Sequence, residues 1–141
     1  MAKLSNFQLD NMLSALSNCS TAGGIVGFAI ARNYRIIASA LTEYLKTKNE
    51  IIQKYGDEDE NGNLSVTDPE KLKAANKELS KYASLTQEVN IMKVPEDAFI
   101  ESGLKGYQII LLGWMTQYPE ETKDTDNSVM LSEKDSERFG I

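Results

Sequence analysis

The stretch AGGIVGFAIARNYRIIASALTEYLKTKNEIIQKYG, residues 22–56, decides the fold of this 141-residue chain. Within it Ile30, Tyr34, Ile37, Leu41, Tyr44, Lys48, Ile51 and Tyr55 are separated alternately by four and three residues. That repeat lines up one edge of an α-helix, interrupted here only by Lys48. No proline falls inside, Thr21 is placed to cap the start, and Gly56 supplies the stop. A helix of about 30 residues is about 45 Å long. Such a rod cannot bury its own seam, so it requires a partner.

Downstream, Asp68-Pro69-Glu70 is a helix start, with Asp68 as cap and proline at the first helical position. Leu72, Ala75, Leu79 and Tyr82 continue the same spacing, which predicts an antiparallel hairpin with interlocking seams. The linker between the two helices carries Asn61-Gly62, a strong turn signal. Leu64-Ser65-Val66 and Val89 to Val94 both alternate like strands, predicting a small two-stranded sheet beside the hairpin.

Two further helices are expected. The first runs from about Asn6 to Leu16 on Leu9, Met12, Leu13 and Leu16, capped by Ser5 or Asn6, with Ser17 to Thr21 as a loop. The last runs from about Leu104 to Gln117 and is apolar nearly all round, so it is expected to be buried by its own domain or by a second copy. The fold class is therefore mainly α with minor β: a long antiparallel helical hairpin, a small two-stranded β element and an apolar C-terminal helix. Residues 1–118 form one domain. Residues 119–141 are acidic apart from Val129-Met130-Leu131 and are expected to be a disordered tail.

Composition excludes several chemistries. There is no histidine and one cysteine, Cys19. No Ser-His-Asp or Cys-His nucleophile can be assembled, nor a zinc site of nitrogen and thiolate ligands. Carboxylates lie in polar runs, and no pair sits in an apolar setting that would split two pKa values. No enzyme activity and no cofactor are expected. The apolar runs at residues 22–31 and 107–115 are shorter than the roughly 20 residues that span a bilayer, and the first residues lack a signal-peptide pattern. A soluble chain with no membrane partner is expected.

Charge is unevenly spread. Residues 1–55 carry six bases and three acids, residues 56–118 six and eleven, and residues 119–141 three and seven, giving +3, −5 and −4 and a total of −6. A basic segment within an acidic protein can hold an anion locally, while duplex nucleic acid is repelled.

Two constellations follow from the pattern. Asp57, Asp59, Asn61 and Asp68, with Gly62 and Leu64, match the spacing of a calcium-binding loop. Against a cation, Asp68 is shorter than the usual bidentate Glu, and Pro69 starts its helix too late for such a loop. A turn between strands accounts for the same Asn-Gly without an ion. Asp124, Asp126, Ser128 and Asp135 form a poorer echo.

The second constellation is the glycine-rich opening of the long helix. Gly23, Gly24 and Gly27 each cost on the order of 1 kcal/mol relative to alanine, tolerable where a backbone or a ligand approaches closely. Arg32 and Arg35 can hold phosphate or carboxylate oxygens, and Asn33 either fixes packing register or touches a ligand. The candidate ligand or partner site is Gly24, Gly27, Phe28, Arg32, Asn33 and Arg35, where Phe28 or Tyr34 could stack on a nucleotide base. The competing explanation is a tight helix crossing with both arginines paired to acids.

Gly27-Phe28-Ala29-Ile30-Ala31-Arg32-Asn33, Asn49-Glu50, Lys54-Tyr55-Gly56, Asp59-Glu60-Asn61-Gly62-Asn63, Glu88-Val89-Asn90-Ile91 and the segment Gly103 to Met115 occur in this order across about residues 22 to 116. In these pieces the chain resembles a loose group of small accessory proteins of tailed bacteriophages, a group without an assigned chemistry. The resemblance implies work in the bacterial host cytoplasm. It implies a non-enzymatic antagonist of host defence that binds a host protein or sequesters an anionic or nucleotide signal. The alternative is a structural or assembly-chaperone phage protein acting through helical contacts. A homo-oligomer is expected in either case.

Overall fold

The computed structural model of the chain describes residues 1–118, most of them helical, with three pairs of short strands. The chain is mainly α with minor β. The expected tail, with Val129-Met130-Leu131 and the second acidic echo, lies outside the described residues.

Strand β1 (Ala2–Ser5) leads directly into helix α1 (Asn6–Asn18). Ser5 closes a capping box: its Oγ accepts the Gln8 N–H at 3.1 Å, and its own N–H donates to Gln8 Oε1 at 2.9 Å. Two helix-end donors are thereby satisfied. The helix runs two residues past Leu16, so Ser17 is helical and not part of a loop.

The expected single rod is two helices, α2 (Gly24–Ala40) and α3 (Thr42–Tyr55), divided at Leu41. Gly23, not Thr21, stands at the N-cap. Around the division, side chains take carbonyls that a continuous ladder would use. Thr42 Oγ1 donates to Ala38 O at 3.2 Å and Ser39 O at 3.1 Å, and Gln87 Nε2 donates to Ala40 O at 2.9 Å. Such back-bonding bends helices. Leu41 itself is fully buried.

Each half of the rod has its own partner. Helix α2 packs against α1, while α3 packs against the later helix α4 described below. The predicted hairpin therefore exists only over α3. The seam residue Lys48 turns toward α1, where its Nζ lies 2.8 Å from Asp10 Oδ2. Beside that pair Tyr44 is buried, which pushes its phenol above the usual value; Lys48 opposes the shift and Asp10 reinforces it.

Strands β2 (Asp57–Glu58) and β3 (Leu64–Ser65) form the hairpin around Asn61-Gly62, and Gly62 has the positive φ of +82° that this turn needs. Helix α4 (Pro69–Ala83) begins where expected, with Asp68 Oδ2 accepting the Lys71 N–H at 3.2 Å. Strand β4 (Thr86–Val89) does not pair with residues 64–66. It takes β1, in the antiparallel register Ala2↔Val89 to Ser5↔Thr86. Asn6 fixes this junction. Its N–H donates to Leu85 O at 2.9 Å, its Nδ2 to Tyr82 O at 2.9 Å, and its Oδ1 accepts from Gln87 Nε2 at 2.7 Å.

The expected C-terminal helix is also shorter. After strand β5 (Val94–Pro95) and a 3-10 segment at Glu96–Glu101, α5 covers only Gly106–Leu111. A 3-10 turn at Gly113–Met115 and strand β6 (Thr116–Gln117), parallel to β5, follow. Thr116 Oγ1 donates to Leu112 O at 2.9 Å and so helps end the helical path. Leu112 and Met115 enter the core, but Tyr107 and Ile110 face outward, so the segment is not buried on all sides.

The core joins Leu9 and Leu16 of α1, Val26 and Ile37 of α2, Leu41, Val94, Leu112 and Met115, all fully buried. Burying one such side chain contributes about 1.5–3 kcal/mol. Among the described residues, Asn33 is the polar side chain inside this layer with no exposure. Asn33 Nδ2 donates to Met92 O at 3.0 Å, and Met92 N–H donates to Asn33 Oδ1 at 2.8 Å. The amide thus mimics a neighbouring strand for the segment leading into β5.

Asn33→Ala should cost about 2–4 kcal/mol in urea unfolding, because both Met92 backbone groups lose their partner beneath the surface. A second expectation concerns Glu78, whose carboxylate accepts from Tyr55 Oη at 2.9 Å and from Lys54 Nζ at 3.2 Å. Those bonds, Tyr55 first, hold its pKa below the ordinary value of 4.5. The stabilisation is present above that value and is lost as pH falls through the lowered pKa. Glu78→Gln should flatten the fall in urea midpoint between about pH 6 and about pH 3.

Candidate functional site

Helix α2 turns about 100° per residue, so its positions divide into two sides. Val26, Ala29, Ile30, Asn33 and Ile37 are buried. Gly24, Phe28, Ala31 and Arg35, spaced by four, three and four residues, form the outward stripe, and all four are exposed. Arg32 lies on one flank of that stripe and Tyr34 on the other.

The flank carrying Tyr34 faces α1 and borders an open groove of about 580 Å³. Leu16, Ser17 and the following Ser20 form its α1 side; Gly27, Ile30, Ala31, Tyr34 and Arg35 form its α2 side. Leu16 and Ile30 are buried and give an apolar floor, while the Tyr34 ring is 41% exposed. The two serines supply hydroxyls that both donate and accept. From Gly27 to Arg35 the groove follows α2 for about 12 Å.

Of the six sequence-derived candidates, Gly27 and Arg35 meet in this groove. Phe28 is 61% exposed and stands on the outward stripe with Gly24. Arg32 lies off the lining. Asn33 is on the opposite side, and Met92 occupies both ends of its amide. Fully buried, it fixes packing.

The glycines have a conformational cause. Gly24 has φ +65°, in the left-handed region, and a Cβ at Gly27 would collide with the Ala22 carbonyl oxygen. The chain enters α2 by folding its own backbone close over the first turn. The close approach expected at this point is therefore backbone on backbone, held by Gly23 N–H donating to Ser102 O at 2.9 Å. The ion pairs among the described residues are Lys48–Asp10, Lys54–Glu78 and Lys71–Asp57, and none includes Arg32 or Arg35.

Three carboxylates of residues 57–68 serve the fold. Asp59 Oδ1 accepts the N–H groups of Asn61 at 2.8 Å and Asn63 at 2.9 Å; Asp57 lies 3.8 Å from Lys71 Nζ; Asp68 caps α4. Among the described residues no group of three or more His, Cys, Asp or Glu side chains is placed to hold a metal. Likewise, no described helix is long and apolar enough to cross a membrane.

Ser17 and Ser20 were not among the sequence candidates, because residues 17–21 read as a loop of unspecified direction. Their three-residue spacing, extended from the Leu9–Leu16 repeat, was the available signal. Cys19 lies in the turn that follows α1, where the loop was expected, and points inward. It is fully buried, its Sγ lies 3.7 Å from Gln108 O, and burial pushes its thiol pKa up.

No family model matches the chain, and neither a curated protein nor a solved structure matches it.

The Cys19 environment predicts an inert thiol. In native protein at neutral pH, Cys19 should react with a disulfide reagent at least about a hundredfold more slowly than in urea, since access and thiolate fraction are both reduced. Equal rates in the two conditions would contradict this packing.

Proposed function

We propose that this chain is a non-enzymatic binding protein, encoded by a tailed bacteriophage, whose α1–α2 groove takes up a small anionic ligand in the host cytoplasm. In that role it antagonises host defence by sequestering an anionic signal. The groove itself carries this reading. Arg35, outside every described ion pair, stands at the edge of an apolar floor beside Tyr34 and two serine hydroxyls. A guanidinium can grip a phosphate or carboxylate with two parallel hydrogen bonds, while Leu16 and Ile30 accept an uncharged ring or chain. The volume of about 580 Å³ lies within the range of small-molecule sites.

A second reading rests on different residues. Ile100, Tyr107 and Ile110 are 82%, 64% and 80% exposed, and all lie in the segment between Glu96 and Leu111. Large exposed apolar side chains favour protein contacts, as a structural or assembly role, or a homo-oligomer, would require.

A thermal-shift panel of nucleotides, ADP-ribose derivatives and aryl carboxylates tests the first reading. A ligand at about a hundred times its Kd should stabilise the protein by about 2.7 kcal/mol. Arg35→Ala should abolish that gain without changing the melting temperature of the free protein. Silence across the panel, with concentration-dependent assembly in sedimentation that Ile110→Glu removes, would transfer the function to the second surface.

A further inference from the structure

We infer that the outward face of α2 is an interaction surface for this chain's own acidic segment Asp124 to Asp135, which lies outside the described residues. Val129-Met130-Leu131 covers Phe28, Ala31 and Tyr34, and the flanking carboxylates meet Arg32 and Arg35. This contact goes beyond the groove function proposed above, and its test needs no added ligand.

The surface is basic and apolar within an acidic protein. Helix α2 holds two arginines and no carboxylate, although the chain has a net charge of −6. Across the groove, Leu16, Ser17 and Ser20 are uncharged. Neither arginine belongs to an ion pair among the described residues. Phe28 and Tyr34 on the same face are both exposed. Charge and apolarity are complementary to a strip that is oily at its centre and acidic on either side.

Residues 124–135, DTDNSVMLSEKD, have that composition, with four acids and one base around three apolar residues. Other surfaces suit them less. Exposed Ile100, Tyr107 and Ile110 share their stretch with Glu96, Asp97, Glu101 and one base, Lys105, so like charge repels the segment there. The lysines of α4 share their helix with Glu70 and Glu78, and Lys71 already faces Asp57 at 3.8 Å.

The chain also reaches. Met115 Sδ lies 3.7 Å from Asn33 Nδ2, so the last described residues follow from a point beside the middle of α2. A helix with its side chains is about 10–12 Å across. The eleven residues from Tyr118 to Val129 extend to at most roughly 36–40 Å, enough to pass from the core side of α2 to its outer face. Exposed ion pairs contribute little singly, but a tethered segment acts at an effective concentration of order millimolar. An anion entering at Arg35 therefore competes with it.

Paramagnetic NMR of the full chain tests the contact. A nitroxide is attached through Ser132→Cys, while buried Cys19 stays unlabelled, as mass spectrometry checks. The amide signals of Phe28, Ala31 and Tyr34 should broaden, and those of Lys73 and Lys77 should stay sharp. Arg32→Glu with Arg35→Glu should remove the broadening, and so should Leu131→Asp alone. Salt at 1 M should reduce it, because the Debye length falls from about 10 Å at 0.1 M to about 3 Å. Unshifted core amides, such as Leu9 and Met115, show that each variant is folded.

Absence of selective broadening on α2 would overturn the contact, as would broadening that survives both arginine changes but not Ile110→Glu. Equal broadening of isotope-enriched, unlabelled chains by added labelled ones would place the segment on a second copy and overturn its assignment to its own chain. Anion uptake is read separately in the thermal-shift panel. Silence there with the contact intact removes the proposed function alone.

Discussion

An apolar edge longer than any one neighbour can cover is the constraint on which this structure depends. Between Gly24 and Tyr55 the chain presents a helical seam that must leave water, but α4 is only Pro69–Ala83 and packs chiefly against the α3 half. The α2 half is covered instead by α1, β4 and the segment Glu96–Glu101. The two halves thus have different principal neighbours. The helix divides between them at Leu41, whose own side chain remains fully buried.

Polar side chains make the division tolerable. Thr42 and Gln87 satisfy the carbonyls of Ala38, Ser39 and Ala40, and the same Gln87 amide reaches Asn6, which holds the last turn of α4 through Tyr82 O. Three helices are thus registered by one small network. Asn33 performs the corresponding task on the core side of α2, where it supplies hydrogen bonds to a backbone with no strand beside it. Buried amides so placed select one arrangement among several that apolar packing alone would allow.

Packing on that side leaves the other side of α2 free, and the groove follows from this division. Because Val26, Ile37 and Asn33 face the core, Arg35 and Phe28 must face solvent, and Tyr34 must face α1. The glycines at the start of α2 serve the sharp entry of the chain. That entry brings the end of α1 alongside the first turns of α2 and so makes one wall of the groove. Tyr34 and Arg35 on that wall are side chains that the core does not use.

Local features were legible from residue order. The caps at Ser5 and Asp68, the stop at Gly56 and the turn at Asn61-Gly62 each depend on atoms within a few residues of one another. The helical character of residues 24–55 was equally plain from its spacing. What remained hidden depends on atoms far apart in the chain. The pairing of β1 with β4 joins residues 2–5 to 86–89, the Asn33 amide finds Met92, and Gln87 finds Ala40. Spacing fixes which side of a helix is oily, since that is a matter of 100° per residue. It does not fix which neighbour covers that side, because several apolar faces of similar energy compete. Tertiary packing chose among them, and with that choice it placed Arg35 at the groove and removed Asn33 from it.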